Sequence, residues 1–264
     1  MEINKIILIG AGNVATHLAI ALKNAGFSIV QVYSRDIVNA EVLAGMVEAS
    51  AIDNLKQMDV TSDMYILSVS DGAIETIAHE MPLVKGVVVH TAGSVPMEVL
   101  NRFNLYGVFY PFQTFTKDKE LDFKKVPVLI EGNISHSKNV IIEVAQHIST
   151  RVQKANGEHR KALHIAAVFA CNFVNHLYVL ADDLLEKQGM EFSLLEPLIS
   201  ETTRKALSIK PVHAQTGPAR RNDKQVIQLH QESLNGETFH HDIYALISES
   251  IIRTYETERN SERN

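Results

Sequence analysis

The stretch Lys5–Leu18, KIILIGAGNVATHL, constrains this chain more than any other part of it. Apolar residues run into two glycines one residue apart, and a helix-like pattern follows. Gly10-Ala11-Gly12-Asn13-Val14-Ala15 reads G-x-G-x-x-A. Between a strand and a helix, that spacing has a mechanical meaning. Gly10 permits the tight turn, Gly12 lets main chain approach a diphosphate, and the small Ala15 lets helix and strand pack closely. Free N–H groups and the helix dipole then hold the anion. Gly10, Ala11, Gly12, Asn13 and Val14 are therefore candidate dinucleotide-binding residues.

The rest of the first half supplies a sheet for this corner. Apolar runs recur at Ile29–Tyr33, Ala49–Ile52, Tyr65–Val69, Val87–His90, Tyr106–Phe109 and Val126–Ile130, and Thr150–Lys154 suits a last edge strand. Amphipathic stretches such as Val14–Asn24 and Ile74–Met81 lie between several of them. Strands apolar throughout, with helices between, imply a mostly parallel sheet buried on both faces. Beyond Gly157 strand signals vanish and 3.6-residue periodicity takes over. Glu158–Gln188 reads as one long helix closed by Gly189. Ser193 suits the N-cap of a helix over Leu194–Leu207, and "KPVHAQTGPARRND" reads as a loop. Two further helices fit Asp223–Leu234 and Phe239–Tyr255. The expected fold is α/β: a Rossmann-type doubly wound domain over 1–155, then an all-α domain over 156–264.

A dinucleotide needs a second contact about twenty residues past the glycines, where an acid accepts from a ribose 2′-hydroxyl. Here the second strand ends Val32-Tyr33-Ser34-Arg35-Asp36. The hydroxyl of Ser34 and the planar donor fork of Arg35 suit a 2′-phosphate, which favours NADP over NAD. Asp36 keeps an NAD reading open if the strand ends later. Ligands lie outside the carboxyl ends of such strands. That places Val69, Ser70 and Asp71 against the coenzyme, with Asp71 equally able to cap the helix that follows. It brings His90 and Thr91 near the nicotinamide. Gln113 and Thr114, in "YPFQTF", are placed to line a substrate pocket.

Other classes are poorly served. The net charge is -6 and basic residues are scattered, so neither a nucleic-acid groove nor a polybasic membrane patch is expected. The chain has no Trp to interleave with Arg and Lys. Cys171 is the single cysteine, which excludes an internal disulfide and suits a reducing cytoplasm. It reads as buried and inert. A strand pattern at Glu2-Ile3 leaves little room for a leader sequence. "HIAAVFACNFVNHLYVLA", from His164, carries Asn172, Asn175 and His176 and reads as a helix buried in a bundle or at a dimer seam rather than in a membrane.

The strand order, the G-x-G-x-x-A corner and "YSR" resemble the 6-phosphogluconate dehydrogenase-like superfamily, including pyrroline-5-carboxylate reductases and deazaflavin-dependent NADP oxidoreductases. "SVSDGAI", "HTAGSV", "YPFQTF", "HIAAVFACNFVNHL" and "TGPARRND" with His230 resemble, more closely, a family that pairs a Rossmann-like domain with a helical domain of unknown function. That family typically has Gly where this chain has Asn222. The resemblance implies NADP binding, an oxidoreductase role and a homodimer with intertwined helical domains. In the related hydroxyacid dehydrogenases a catalytic Lys precedes an Asn by three residues. Asn172 matches the Asn, but Phe169 stands at the Lys position, so the usual acid–base group is missing.

Hydride transfer belongs to the coenzyme, leaving the protein to orient a substrate and move one proton. His164 and Asn172, eight residues apart on a regular helix, are candidates for that work. Thr216, Gly217, Arg220 and Arg221 are candidate substrate contacts, an Arg there being able to clamp a carboxylate. Asp223 reads as a helix cap. His213 and His230 are too isolated for a metal site, and His240-His241-Asp242 lacks a further paired ligand, so none is expected. The expected function is an NADP-dependent oxidoreductase acting on a small carbonyl or imine held between the domains, without nucleic-acid or membrane partners. A non-enzymatic NADP sensor is the competing reading. An S-adenosylmethionine enzyme is disfavoured by Ser34-Arg35.

Overall fold

The computed structural model describes residues 3–256. The chain divides into two compact units after Phe169, described separately.

The first unit is built on one eight-stranded sheet of order 3-2-1-4-5-6-7-8. In chain order its elements are β1 (Lys5–Ile9), α1 (Asn13–Asn24), β2 (Ser28–Tyr33), α2 (Ile37–Val47), β3 (Ser50–Ile52), β4 (Met64–Leu67), α3 (Ile74–Glu80), β5 (Val87–His90), β6 (Tyr106–Pro111), β7 (Val128–Gly132), α4 (Ser135–Ile148), β8 (Val152–Lys154) and α5 (Gly157–Ala167). The first six strands are parallel and reverse direction of addition between β1 and β4, the switch point where such sheets bind ligands. All seven apolar runs and the edge candidate Thr150–Lys154 form strands, but the sheet is not parallel throughout. β7 pairs antiparallel with β6, Phe109 facing Ile130. The segment between them carries no crossover helix, only one short 3-10 turn at Phe123–Lys125, so the chain doubles back along the sheet edge. Through α4 the crossover pattern resumes, and β7 and β8 are parallel.

Alternation within each strand builds two cores. Ile6 and Leu8 pack with Leu18, Leu22, Leu43 and Val144 on one face. Ile7 and Ile9 pack with Leu67, Ile74, Ile77 and Phe103 on the other. Both strand faces are therefore withdrawn from water, which is why Ile6–Ile9 of β1 and the whole of β4 are unbroken apolar runs. Caps set the helix starts. Asp36 accepts from the Val38 N–H at 3.1 Å to begin α2, and Asn156 accepts from the His159 N–H at 2.9 Å to begin α5. Asp71 makes no cap: Ser70 and Asp71 enter a short 3-10 turn ahead of α3.

The long helix expected over Glu158–Gln188 is interrupted. Val168–Phe173 forms a π-helical turn between α5 and α6 (Val174–Glu186). Gly189 closes it with a φ of +68°. In the second unit α7 (Glu196–Ile209), α8 (Pro211–Ala214), α9 (Pro218–Arg221), α10 (Lys224–Ser233) and α11 (Thr238–Thr254) follow. Ser193 is not the N-cap of α7. It lies in a 3-10 turn over Phe192–Leu195, and Pro197 sits in the first turn of the helix, where no N–H is needed. The segment read as a loop contains the short helices α8 and α9. Asn222 ends α9 in the left-handed region, φ +55°, a conformation that Gly adopts freely and Asn tolerates best among the rest. Asp223 then caps α10 through the Val226 N–H at 3.3 Å, as the sequence pattern suggests.

Candidate active site

The glycine corner has the geometry its sequence calls for. Gly10 adopts φ +119°, and a Cβ there would lie 2.1 Å from the Ser68 carbonyl oxygen, at the end of the neighbouring strand β4. Gly12 is the N-cap of α1, and a Cβ there would meet nothing within 4 Å. Its main chain faces open space of the kind a diphosphate requires. Ala15 is fully buried against the sheet. The first turn of α1 holds no acidic residue, and its leading amides, at Asn13 and Val14, precede the first closed helical bond, from Thr16 N–H to the Gly12 carbonyl at 2.9 Å. These residues fit a dinucleotide diphosphate. Asn13 adds a side-chain role of its own, donating to the Phe115 carbonyl at 3.1 Å, while His17 Nε2 lies 2.8 Å from the Thr116 carbonyl. The loop after β6 is thereby tied to the helix that would carry the coenzyme.

At the end of β2, Ser34 is half-buried and Arg35 exposed. Arg35 has no hydrogen bond or ion pair among the described residues, so its guanidinium is available to a ligand. Asp36, the alternative acceptor for a ribose hydroxyl, is committed to capping α2 and to the Asn39 amide at 3.0 Å.

On the other half of the sheet, Val69, Ser70 and Asp71 follow β4, and Ser70 and Asp71 are exposed. Thr91 follows β5, its hydroxyl 3.4 Å from that of Ser68. His90 is fully buried, its Nδ1 accepting from the Ala92 N–H at 3.2 Å. Burial, and then the charge of Arg160, lower its pKa to about 4, so it is a neutral structural residue rather than a proton carrier. Gln113 is exposed and folds back to accept from the Thr114 N–H at 2.9 Å.

Tyr110, in β6, escaped notice in the sequence. Its hydroxyl lies 3.1 Å from His164 Nδ1 on α5. The ring passes over Gly93, where a Cβ would come within 2.8 Å of Tyr110 Cε1 and Cζ. Burial raises the phenol pKa above its usual value, and the nearby negative charge of Asp71 adds to it. Arg160 supports this pair from one turn earlier on α5. Its guanidinium is fully buried, pairs with Glu131 on β7, and donates to the carbonyls of Ala155 (3.1 Å) and Val95 (3.2 Å). It therefore ties α5 both to β7 and to the loop that carries Gly93.

The residues beyond Phe169 belong to the second unit. Asn172 is exposed and lies within the π turn, so the regular-helix spacing from His164 does not hold. Cys171, in the same turn, is exposed rather than buried. Thr216 lines an apolar groove with Leu177, Leu180, Ile243, Tyr244 and Ile247. His230 Nδ1 contacts the Tyr244 hydroxyl at 2.8 Å. Arg220 lies 4.4 Å over the buried Tyr255 ring, a packing role for that guanidinium, while Arg221 is exposed and Gly217 adopts φ +100°. His240 does not pair with His241. It faces Asp183 at 3.1 Å and Glu237 at 3.8 Å, but the Lys187 ammonium bridges both carboxylates at 3.0 and 2.6 Å and already takes the place of a cation.

A sheet of this order, with a glycine corner at its switch point, defines the dinucleotide-binding doubly wound class. Residues 5–92 match the family described as NADP oxidoreductase, coenzyme F420-dependent, and residues 126–251 match a domain of unknown function, DUF2520. The Bacteroides fragilis protein BF3122, provisionally assigned as an NADP oxidoreductase, is 43% identical over 95% of this chain and 98% of its own, with a TM-score of 0.88. The chain belongs to this family of NADP oxidoreductase-like proteins. A reductive aminase from Aspergillus terreus, solved with NADPH4, cyclohexanone and allyl amine, shares the fold at 15% identity and TM-score 0.70, over 98% of this chain and 95% of its own. A pyrroline-5-carboxylate reductase from Coxiella burnetii does so at 14% and 0.56, over 97% and 98%. No protein of curated function matches the chain in sequence.

Proposed function

We propose that this protein is an NADP-dependent oxidoreductase of the cytoplasm that reduces, or forms by oxidation, a small carbonyl or imine compound. The observation that carries the reading is the cradle of Gly10 and Gly12 at the sheet's switch point, with an unengaged Arg35 at the end of β2. The diphosphate rests on the amides of Ala11 to Val14, and Ser34 and Arg35 take the 2′-phosphate. Val69, Ser70, Asp71 and Thr91 flank the rest of the coenzyme, which when bound supplies the hydride. His164 serves proton movement and Asn172 orients the substrate. Gln113, Thr216, Gly217, Arg220 and Arg221 are the proposed substrate contacts; Arg221 suits a carboxylate better than Arg220, whose guanidinium already lies on Tyr255.

The working form is a homodimer through the helical unit. Leu207, Phe239 and Leu246 are 85%, 80% and 69% exposed. The most apolar stretch of the helix over Gly157–Glu186 has no buried residue, although that helix is long and apolar enough to cross a membrane. Apolar surface on this scale calls for a cover, and a second copy supplies one. Sedimentation at micromolar protein is expected to give twice the 29.4 kDa chain mass; a monomer soluble without detergent would contradict it.

Fluorescence titration with NADPH and NADH tests the coenzyme. Arg35→Asp is expected to weaken NADPH by about 1.5–3 kcal/mol, roughly 10- to 150-fold, and NADH far less. Equal loss of both would remove the phosphate role. Absence of binding in the unaltered protein would remove the function.

A further inference from the structure

Resting on that reading, we propose that Tyr110 is the proton donor, that His164 acts through it as a relay, and that the substrate group is therefore C=O rather than C=N. Three observations converge. The phenol lies on the half of the sheet remote from Arg35, at the carboxyl ends of β4 to β6, where the nicotinamide end of a dinucleotide belongs. The missing side chain of Gly93 is what lets the ring lie there. The hydroxyl reaches His164 Nδ1 at 3.1 Å, and His164 is only half-buried, so its ring communicates with solvent. A donor and a solvent-accessible relay thus lie together within the first unit. They supply the acid–base function that the missing lysine at Phe169 leaves vacant.

The chemistry selects the substrate. The carbonyl carbon accepts a hydride, with its electron pair, from the reduced coenzyme, which is thereby oxidised. The C=O π pair moves onto oxygen, and that oxygen forms its O–H bond with the Tyr110 proton. The phenolate takes the proton of His164 Nδ1–H as the other ring nitrogen, Nε2, takes one from solvent, so the imidazole stays neutral. Net, one carbonyl, one reduced coenzyme and one proton become one alcohol and one oxidised coenzyme. An alkoxide is more basic than a phenolate, so this transfer runs downhill even from a phenol whose acidity burial has weakened. An alkyl imine is already protonated by solvent near neutral pH, and hydride addition to the iminium gives a neutral amine without a further proton donor, so a phenol–imidazole pair has a proton to deliver only to a carbonyl oxygen. Asp71 is the charged group that faces the phenol from the β4 turn, and His164 faces it from α5.

Two measurements test this. In the first, tyrosine carrying ¹³C at Cζ is titrated in the coenzyme-free protein, the Tyr110 signal being the one lost in Tyr110→Phe. It is expected to ionise above the ordinary phenol range and to move when His164 is replaced by Gln. Indifference to His164 overturns the relay. In the second, NADPH oxidation is followed with glyoxylate, methylglyoxal and cyclohexanone, and with 1-pyrroline as the imine. Tyr110→Phe is expected to lower kcat for the carbonyls by roughly a hundred- to ten-thousandfold while NADPH affinity stays within about twofold. Carbonyl turnover that survives the substitution, or turnover of 1-pyrroline independent of Tyr110, overturns the proposal. Should no probe turn over, the titration alone decides. NADPH affinity in the unaltered protein separates this failure from failure of the oxidoreductase reading itself.

Discussion

Replacing Arg160 by Met removes a guanidinium with no solvent exposure, and its consequences follow from what each partner is left with. The Glu131 carboxylate loses its counter-ion, and the carbonyls of Ala155 and Val95 lose donors at 3.1 and 3.2 Å. Breaking a buried ion pair from one side costs about 3–5 kcal/mol. The Glu131 side chain is 21% exposed and can be partly rehydrated, which places the ionic share near the lower end. The two carbonyls bring the loss for Arg160→Met to about 3–4 kcal/mol. The reverse deletion, Glu131→Leu, strands a fully buried cation and is expected to cost more. Arg160→Met with Glu131→Leu replaces the pair by apolar volume and should recover most of the deficit, short of about 1–2 kcal/mol for the two carbonyls. Urea unfolding followed by far-ultraviolet circular dichroism measures all four proteins. The reasoning is refuted if Arg160→Met loses less than about 1 kcal/mol, or if the double variant is no more stable than either single one.

Two further outcomes are expected. His90 is held to a pKa of about 4 in the folded state against about 6.5 unfolded, so folding excludes its proton. Its contribution is fully present above about pH 6.5 and is lost as pH falls towards 4, for a total of about 3 kcal/mol. Thermal melts across that window should therefore fall less steeply in His90→Gln, and an unchanged slope would contradict the burial argument. Gly10→Ala forces a Cβ to 2.1 Å from the Ser68 carbonyl at φ +119°. Because backbone must move, the cost should exceed the about 1–2 kcal/mol of left-handed strain alone, and NADPH binding should be lost with it; a melt and a titration both matching the unaltered protein would show that the corner is not under this constraint.

Much of this was written in local pattern. The central strands β4 and β5 follow from runs of apolar residues, because a strand buried on both faces leaves no room for polar ones. The glycine corner was legible because its constraint is local: a turn, a helix N-terminus and a small packing residue all fall within six positions. The cap at Asp223 is legible for the same reason. What the sequence could not show was decided by contacts between residues far apart in the chain. The reversal of β7 depends on which edge a helix-free connection returns along, and apolar runs look alike in either direction. The π turn that disturbs the spacing of His164 and Asn172 has no local signature in a helical pattern. Cys171 reads as buried from its apolar neighbours, yet burial depends on what packs over a face. Above all, Tyr110 and His164 are separated by 54 residues, and only the folded sheet, with Gly93 clearing the way and buried Arg160 fixing α5, brings phenol and imidazole within hydrogen-bond reach.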